Sequence, residues 1–590
     1  MTRLERNMSD CAAPLVIGVT GHRDLRGEDV PKLEKLVGGI IEKFRDDSPH
    51  TPLTLLSALA EGADRLVARV ALELGARLVV PLPMRREIYE TDFSTPDSKA
   101  EFTELLGRAE PSFELPLLNG ATETEIKEHG APRDCQYEQV GAYIVSHSHL
   151  LIALWDGKYR NLVGGTSRVV KFQLEGVPEP YAPPSSPIDT PESGPVYHIV
   201  TPRNSNPRTE DEPLTMRRLC PKGYVGEADR FTRICARVDT FNRDLIDQAV
   251  LLEREAKKSA DYLFPESEVR KLPPPLRSLH KRFAVADTLA IHFQRLMRRT
   301  LSLLFILVLL VAISFELYAH LFPTMHWILA VYLIFIAGAY LWINRRAKRH
   351  DYQNKHQDYR ALAEGTRVQF FWRLAGLELS VADRYLRKQR SELDWICSTI
   401  RVWNIPSEIE SPASVNPVET EHIRCLELVL RHWVTDQSRF FVKAAKRDHG
   451  KLERYEPYVK ALLRIGIVVT VVVTLALLVP HPWRHEAHEL IEGHHGLHGL
   501  LLTLISLPAI GAALLHGYIE KRALSEHAKQ YSRMSMIFSN AQERLSQLIK
   551  GGQYAQAQNL IEELGREALE ENGDWVLLHR DRPLEVPHAG

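Results

Sequence analysis

Four runs of almost unbroken apolar residues constrain this chain more than any other feature: Thr300–Ala319, Trp327–Ile343, Ile465–Val479 and Leu497–Gly517. In a helix, about 20 such residues match the ~30 Å hydrocarbon core of a bilayer. The runs come in two pairs, with short turns between partners. Each pair therefore reads as a helical hairpin across a membrane, four transmembrane helices in all.

Lys and Arg placement orients the hairpins. Arg298 and Arg299 precede the first run, and Arg345, Arg346, Lys348 and Arg349 follow the second. Lys460 and Arg464 precede the third, and Lys521 and Arg522 follow the fourth. The first turn (HLFPTMH) has neither residue type, and the second has only Arg484. The expectation is a multi-pass protein of the inner (cell) membrane with both termini and the long middle segment cytoplasmic. Trp327, Tyr340, Trp342 and Trp483 sit at run ends, where amphipathic rings anchor.

Inside the runs, Glu316 is the only acidic residue, and at the outer end of its helix it is expected to reach headgroup water. Pro508, two residues after Ser506, is expected to kink the fourth helix. Gly338, Gly466 and Gly511 would allow close helix approach. His481, His485, His488, His494, His495 and His498 crowd the second turn and the residues after it. A solvated polar turn is the expectation, so no metal site is assigned; zinc or copper on imidazoles at i, i+3 spacing is the alternative.

The rest of the chain is ordinary in charge. Lys+Arg at 74 and Asp+Glu at 75 give a net charge of −1, which supplies no basic face for nucleic acid. At 590 residues several domains are expected. The six cysteines form no CxxC pair and read as reduced thiols. The polar start MTRLERNMSDCAAP has no signal-peptide core, which places the first domain in the cytoplasm.

From Ala12 to about Thr201 short apolar runs alternate with helical patterns. Leu15–Thr20, Thr54–Ser57, Arg77–Pro81, Leu150–Leu154 and Pro195–Val200 read as strands, and Asp29–Arg45 as an amphipathic helix. Strands without polar alternation, separated by helices, imply an α/β doubly wound, mainly parallel sheet covered on both faces. A ligand of such a sheet sits beyond the carboxyl ends of the strands. The first strand runs into Thr20, Gly21, His22 and Arg23, the second into Ala60, Glu61, Gly62 and Asp64. The fourth ends in Trp155 and Asp156, after which Gly164, Gly165 and Thr166 open a helix. Glycines let backbone N–H groups approach an anion, and Thr20, His22 and Arg23 add donors. These thirteen residues are the predicted nucleotide- or phosphate-binding set. Trp155 either stacks a base or caps the sheet, and Glu61 and Asp64 serve as a ribose acceptor and a first-turn acid or as catalytic carboxylates.

The ordered series GVTGHRD, SALAEGADRLVARVALELGARLVVPLP, LLIALWDG and GGTSRVV resembles the SLOG superfamily over about residues 12–202. That superfamily includes the LOG phosphoribohydrolases, SMF proteins and the sensor domains of TRPM channels. The resemblance implies a Rossmann-like domain that binds nucleotides or nucleotide-derived signals. Its enzymatic members carry PGGxGTxxE; here the glutamate position is Val169, which can move no proton. The resemblance therefore implies a sensor, with no catalytic residue and no cofactor.

Arg203–Val225 reads as a linker, and the triple proline at 273–275 as a second break before a helix into the first run. Tyr352, Tyr359, Leu362, Thr366 and Phe370 lie on one helical face. Tyr531, Met534, Phe538, Leu545 and Leu548 make a comparable stripe after the fourth run. The two stripes suggest a faint duplication of helix, hairpin and cytosolic helix. The segments DYRALAEGTRVQFFWRLAGL and EALEENGDWVLLHRDRP, with Trp372 and Trp575, resemble the SLATT effector family, whose usual form has two spans.

The expected organisation is a disordered start at 1–11, the SLOG-like domain at 12–202, and a linker and helical connector at 203–275. A pre-membrane helix follows at 276–299, then hairpins at 300–344 and 464–517, separated by a cytosolic helical region at 345–463. Residues 518–590 form a cytosolic C-terminal helical region. Together the resemblances imply a homo-oligomeric membrane effector in bacterial antiphage defence. Its ligand would be a nucleotide-derived signal, a cyclic oligonucleotide or an ADP-ribose derivative, and its output a pore or a disrupted bilayer. A membrane-anchored nucleotide-processing enzyme using Glu61, and a ligand-gated ion channel, are the alternatives.

Overall fold

The computed structural model describes residues 10–160, 162–182, 193–209, 211–221, 227–341, 348–385, 390–405, 419–477 and 495–580. Several expectations fall outside these residues. They are the order of residues 1–9, the ends of the second and third runs (342–343 and 478–479), the basic pair Arg345 and Arg346, Trp483, Arg484, and the His-rich turn from His481 to His494. The chain divides into two compact units, Met1–Ala286 with Leu362–His422, and Asp287–Ala361 with Ile423–Gly590.

The first unit is built on a seven-stranded sheet. Its strands are β1 (Leu15–Gly21), β2 (Leu53–Leu56), β3 (Arg77–Leu82), β4 (Ser112–Glu114), β5 (Leu150–Trp155), β6 (Val196–Val200) and β7 (Met216–Leu219). The spatial order is β4-β3-β2-β1-β5-β6-β7, parallel except for β7. The helices between strands are α1 (Val30–Asp47), α2 (Ala63–Glu73), α3 (Pro96–Gly107), α4 (Ala131–Ser146) and α5 (Thr166–Glu175). Strand side chains alternate between faces, and both faces are covered. Leu15, Ile17 and Val19 pack with Leu33, Val37, Leu66 and Val67 of α1 and α2. Val16, Leu151 and Ala153 pack with Val140, Ile144 and Val170 of α4 and α5.

Two strands were not visible in the sequence. β4 is three residues long, and β7 lies within the stretch read as linker. β7 has an exposed, charged pattern (MRRL) because it is an antiparallel edge strand, where charge discourages further pairing. The first unit also holds α6 (Glu227–Asp247), whose Asn242 substitutes for a backbone partner at the start of β1. Its side-chain oxygen accepts from Ala13 N (2.9 Å) and its amide nitrogen donates to Ala13 O (2.9 Å).

The helices that complete the chain are α7 (Ala249–Leu263), α8 (Pro274–Glu316), α9 (Trp327–Leu341), α10 (Tyr352–Leu374), α11 (Arg390–Trp403) and α12 (Glu419–Val429). They are followed by α13 (Asp436–Leu477), α14 (His495–Lys521), α15 (Leu524–Lys550) and α16 (Tyr554–Arg580). The unit boundaries fall inside α8, α10 and α12. Proline begins α8 because its missing N–H has no partner in a first turn anyway.

Three helical stretches are long and apolar enough to cross a membrane: Pro274–Leu321, Glu421–Leu475 and Gly499–Lys550. The described part of the second run, α9, is a shorter apolar helix of 15 residues. Ile306, Phe315, Leu333, Ile334, Ile467 and Val472 are exposed on these helices, a face suited to lipid rather than water. In the second unit α13 packs against α14 and α15, and α15 against α16. Tyr531, Met534, Phe538, Leu545 and Leu548 are all buried, as are Tyr359, Leu362, Thr366, Phe370, Trp372 and Trp575.

Glu316 departs from the expected interface placement. It is buried at 5% exposure and accepts a hydrogen bond from Ser506 Oγ of α14 (2.6 Å), with His320 Nε2 at 3.5 Å. The cause is local: a π-helical turn at Leu317–Leu321 packs directly on α14. Gly499 makes that approach possible, since a Cβ there would collide with His320 O. Of the glycines singled out from the sequence, Gly466 faces Ile505 O (3.4 Å from a built Cβ) and Gly511 faces Leu462 (3.6 Å), whereas Gly338 has open space. α14 continues as a helix through Pro508.

Candidate functional site

The strand order reverses between β1 and β5, so the loops after these strands diverge and leave a crevice at their carboxyl ends. The residues predicted to lie there come from three connections, after β1, β2 and β5, and the structure gives them unequal roles.

Gly21 and Gly62 serve internal packing rather than anion approach. A Cβ on Gly21 would collide with Ala63, and one on Gly62, at φ +81°, with the carbonyl of Arg23. The close approach lets Ala63 N donate to His22 O (3.0 Å), so this first-turn donor of α2 is already engaged. Ala60 N donates to Asp64 Oδ2 at 3.4 Å. Burial raises the Asp64 carboxyl to about 7, against the pull of that N–H and of Arg23 and Arg65. Glu61 is turned toward α3 and its preceding loop, accepting from Ser98 Oγ and from Ser94 N (3.3 Å). The whole 57–62 loop is clamped by Arg65, which is 1% exposed and donates to Leu59 O (3.0 Å) and Ser98 O (2.8 Å). Leu59 itself is held in the left-handed region at φ 56°.

Around β1 and β5 the groups converge. Thr20 is buried in the strand. His22 is buried too, and its Nε2 accepts from Asp156 N at 3.0 Å. That bond requires a neutral ring with Nε2 unprotonated, and burial holds the His22 pKa below its usual range despite Asp156. Asp156 Oδ1 accepts from Lys158 N (3.1 Å), while Oδ2 forms a longer ion pair with Arg160 Nη2 (3.5 Å). Thr166 Oγ1 donates to Gly21 O (3.0 Å), stitching the start of α5 to the end of β1. Gly164, at φ +70°, lies against Tyr137 and Asp134 of α4, and Gly165 N closes the turn on Leu162 O (3.1 Å).

Trp155 does not present its ring for stacking. It is 2% exposed, with Tyr159 edge-on at 4.9 Å and His198 at 5.2 Å, which makes it a cap on the sheet. Tyr159 is 63% exposed, the more solvent-facing ring of the two.

Four further residues that sequence reasoning missed, Tyr137, Glu138, Arg160 and Arg168, lie beside the predicted set that includes Arg23. Arg23 is exposed and lies over the Tyr137 ring at 5.4 Å. Tyr137 Oη is buried without a hydrogen-bond partner among the described residues. Glu138, 1% exposed, forms an ion pair with Arg168 (2.5 Å) beside the Gly164–Gly165 turn. Arg160 completes the set. The signal for α4 was faint: polar residues at buried positions in the helix, such as Gln136 and Glu138, which a helix destined only for a core would not carry. Val169 is buried against Gly141, well suited to packing and to nothing else.

The arrangement places two arginines, Arg23 and Arg160, with the Tyr137 ring and the start of α5 at the β1–β5 switch point, a set suited to an anionic ligand. Among the described residues no three His, Cys, Asp or Glu side chains gather as metal ligands. Comparison with protein-family models, with curated proteins and with solved structures finds no match to this chain.

Proposed function

We propose that this protein is a membrane effector controlled by a nucleotide-derived signal that binds the crevice between β1 and β5. The observation that carries the reading is the placement of Arg23 over the ring of Tyr137, whose Cβ lies against Gly164, together with Arg160, paired with Asp156 and bonded through its backbone to Ser167 at the start of α5. The SLOG-like motif series supports the ligand class, and the SLATT-like segments support a homo-oligomeric effector of antiphage defence. The four apolar runs form two hairpins with both termini cytoplasmic, as the Lys and Arg placement argues. Ligand binding then biases the membrane helices toward a pore or a disrupted bilayer, by no more than its differential affinity for the two states.

Calorimetry on the full-length protein with cyclic oligonucleotides and ADP-ribose derivatives tests this. Binding that is lost in Arg23→Ala, with growth arrest on expression lost in the same variant, is the expected outcome. Arrest that persists undiminished in Arg23→Ala and Tyr137→Phe would overturn ligand control.

A second reading has specific support in Glu138. A buried carboxylate beside the Gly-Gly-Thr turn is placed where a nucleotide-processing enzyme needs one, which Glu61, engaged by Ser94 and Ser98, is not. Turnover of a labelled nucleotide that vanishes in Glu138→Gln would favour the enzyme.

A further inference from the structure

The second unit contains a recess of about 70 Å³ at the ends of its apolar helices, several times the space one water requires. Its lining is strongly cationic: Arg298 of α8, Arg360 of α10, Arg447 and Lys451 of α13, Lys521 of α14, and Arg522 just beyond α14. Among the described residues that line it, Asp448 is the one carboxylate. Asp448 accepts from Arg447 Nε (2.9 Å) and Lys451 Nζ (2.9 Å), so it fixes two of the cations while leaving the recess positive. Burial would raise its pKa, but these bonds hold it at about 2.

The uncharged wall is a column of rings. Tyr531 stacks on His527, His527 on His579 (4.9 Å) and His579 on Trp575 (4.0 Å), and the Arg360 guanidinium covers Trp575 at 4.2 Å. The Trp575 ring is therefore already engaged by protein groups, and at 2% exposure it is not open to a base. Two buried polar atoms in this wall, Trp575 Nε1 and His527 Nε2, have no hydrogen-bond partner among the described residues. Trp575 is 2% exposed, and a buried N–H donor without a partner marks the place of a missing acceptor. His527 is uncharged at neutral pH: burial, and then His579 and Arg360, lower it to about 3.

We propose that this recess binds the phosphate of an anionic phospholipid headgroup. The cations and the unsatisfied donor select a phosphate, and the closed ring column excludes a nucleobase. Position selects the lipid, and this step rests on reading the apolar helices as membrane-embedded. Arg298 lies two residues before the apolar run at Thr300, and Lys521 and Arg522 directly follow the run that ends at Gly517. A basic pocket between helices at the cytoplasmic boundary meets a headgroup phosphate at its own depth. Nothing in the site depends on a signal bound in the β1–β5 crevice.

The test is native mass spectrometry of the full-length protein in detergent, titrated with phosphatidylglycerol, cardiolipin, phosphatidylcholine, inorganic phosphate and ATP. Anionic lipids should bind at least about tenfold more tightly than phosphatidylcholine, and Arg298→Gln/Arg522→Gln should abolish most of that preference. Lys529→Gln, an exposed lysine outside the recess, and Arg23→Ala should leave it intact. Arg522→Lys guards against misfolding, since it keeps the charge and should retain most of the preference. If inorganic phosphate or ATP binds as tightly as lipid and is lost in the double variant, the phosphate site stands but its lipid source is overturned. If no anion binds preferentially, or the double variant binds as well as the parent, the proposal fails entirely.

Discussion

Ser506 Oγ donates a 2.6 Å hydrogen bond to Glu316, joining the end of the first apolar helix to the middle of the last. Without it the buried carboxyl would keep only its longer contact to His320 Nε2 (3.5 Å), and a buried polar group short of partners is costly. Ser506→Ala should therefore destabilise the membrane unit by about 1–3 kcal/mol, whereas Glu316→Gln, which can still accept, should cost less. Thermal unfolding in nanodiscs measures both. Equal stability of Ser506→Ala and the parent would mean that Glu316 reaches headgroup water after all.

The same junction depends on Gly499. Gly499→Ala would force α14 away from His320, and overpacking of this kind costs about 1–3 kcal/mol or more. Gly338→Ala, with open space around it, should be near neutral in the same assay.

In the crevice, Trp155 and Tyr159 should separate stability from binding. Trp155→Ala empties a core position and should cost about 3–5 kcal/mol of stability. Tyr159→Ala should leave stability nearly unchanged, yet weaken a base-bearing ligand by about 1–3 kcal/mol if the base stacks there. Calorimetric affinity against denaturation midpoint distinguishes the two, and a ligand indifferent to Tyr159→Ala would lack a base at that position.

Stability of the sheet should depend on pH between about 4 and 7, where two opposed contributions overlap. Burial lowers His22, His149 and His198, with His149 at about 4. As pH falls below about 6.5 the unfolded chain takes up protons that the folded chain does not, and stability declines until the folded pKa is reached. For His149 alone this is on the order of 2–3 kcal/mol. Asp64 acts in the opposite sense. Its folded pKa is raised, so its contribution is full below the unfolded value of 3.8 and is lost as pH rises through about 7. Hydrogen exchange of sheet amides in the full-length protein, between pH 4 and pH 8.5, should show the net of the two and a plateau above about pH 7. Asp64→Asn removes the opposing contribution and should steepen the rise in stability between pH 4 and pH 6.5.

Much of this was legible without coordinates. Unbroken apolar runs announce both the buried strands and the long helices, because burial on all sides removes the need for alternation. The positions of β1, β2, β3, β5 and β6 follow from that pattern, as does the stripe from Tyr531 to Leu548. β7 was hidden because an edge strand's charged residues look like loop. Glu138 and Tyr137 were hidden because no spacing rule relates α4 to a glycine turn some 25 residues away.

The sequence alone determined the apolar helices, the parallel sheet and the strand ends where a ligand would sit, since each depends on local pattern. Only the tertiary structure decided which residues at those ends face a crevice. Gly21, Gly62, Glu61 and Trp155 carry the right chemistry, yet their neighbours occupy them. Tertiary contact likewise drew Glu316 inward to Ser506 and gathered cations from four separate segments around one ring column. Local pattern records what a side chain can do; its partners, distant in the chain, decide whether it remains available to do it.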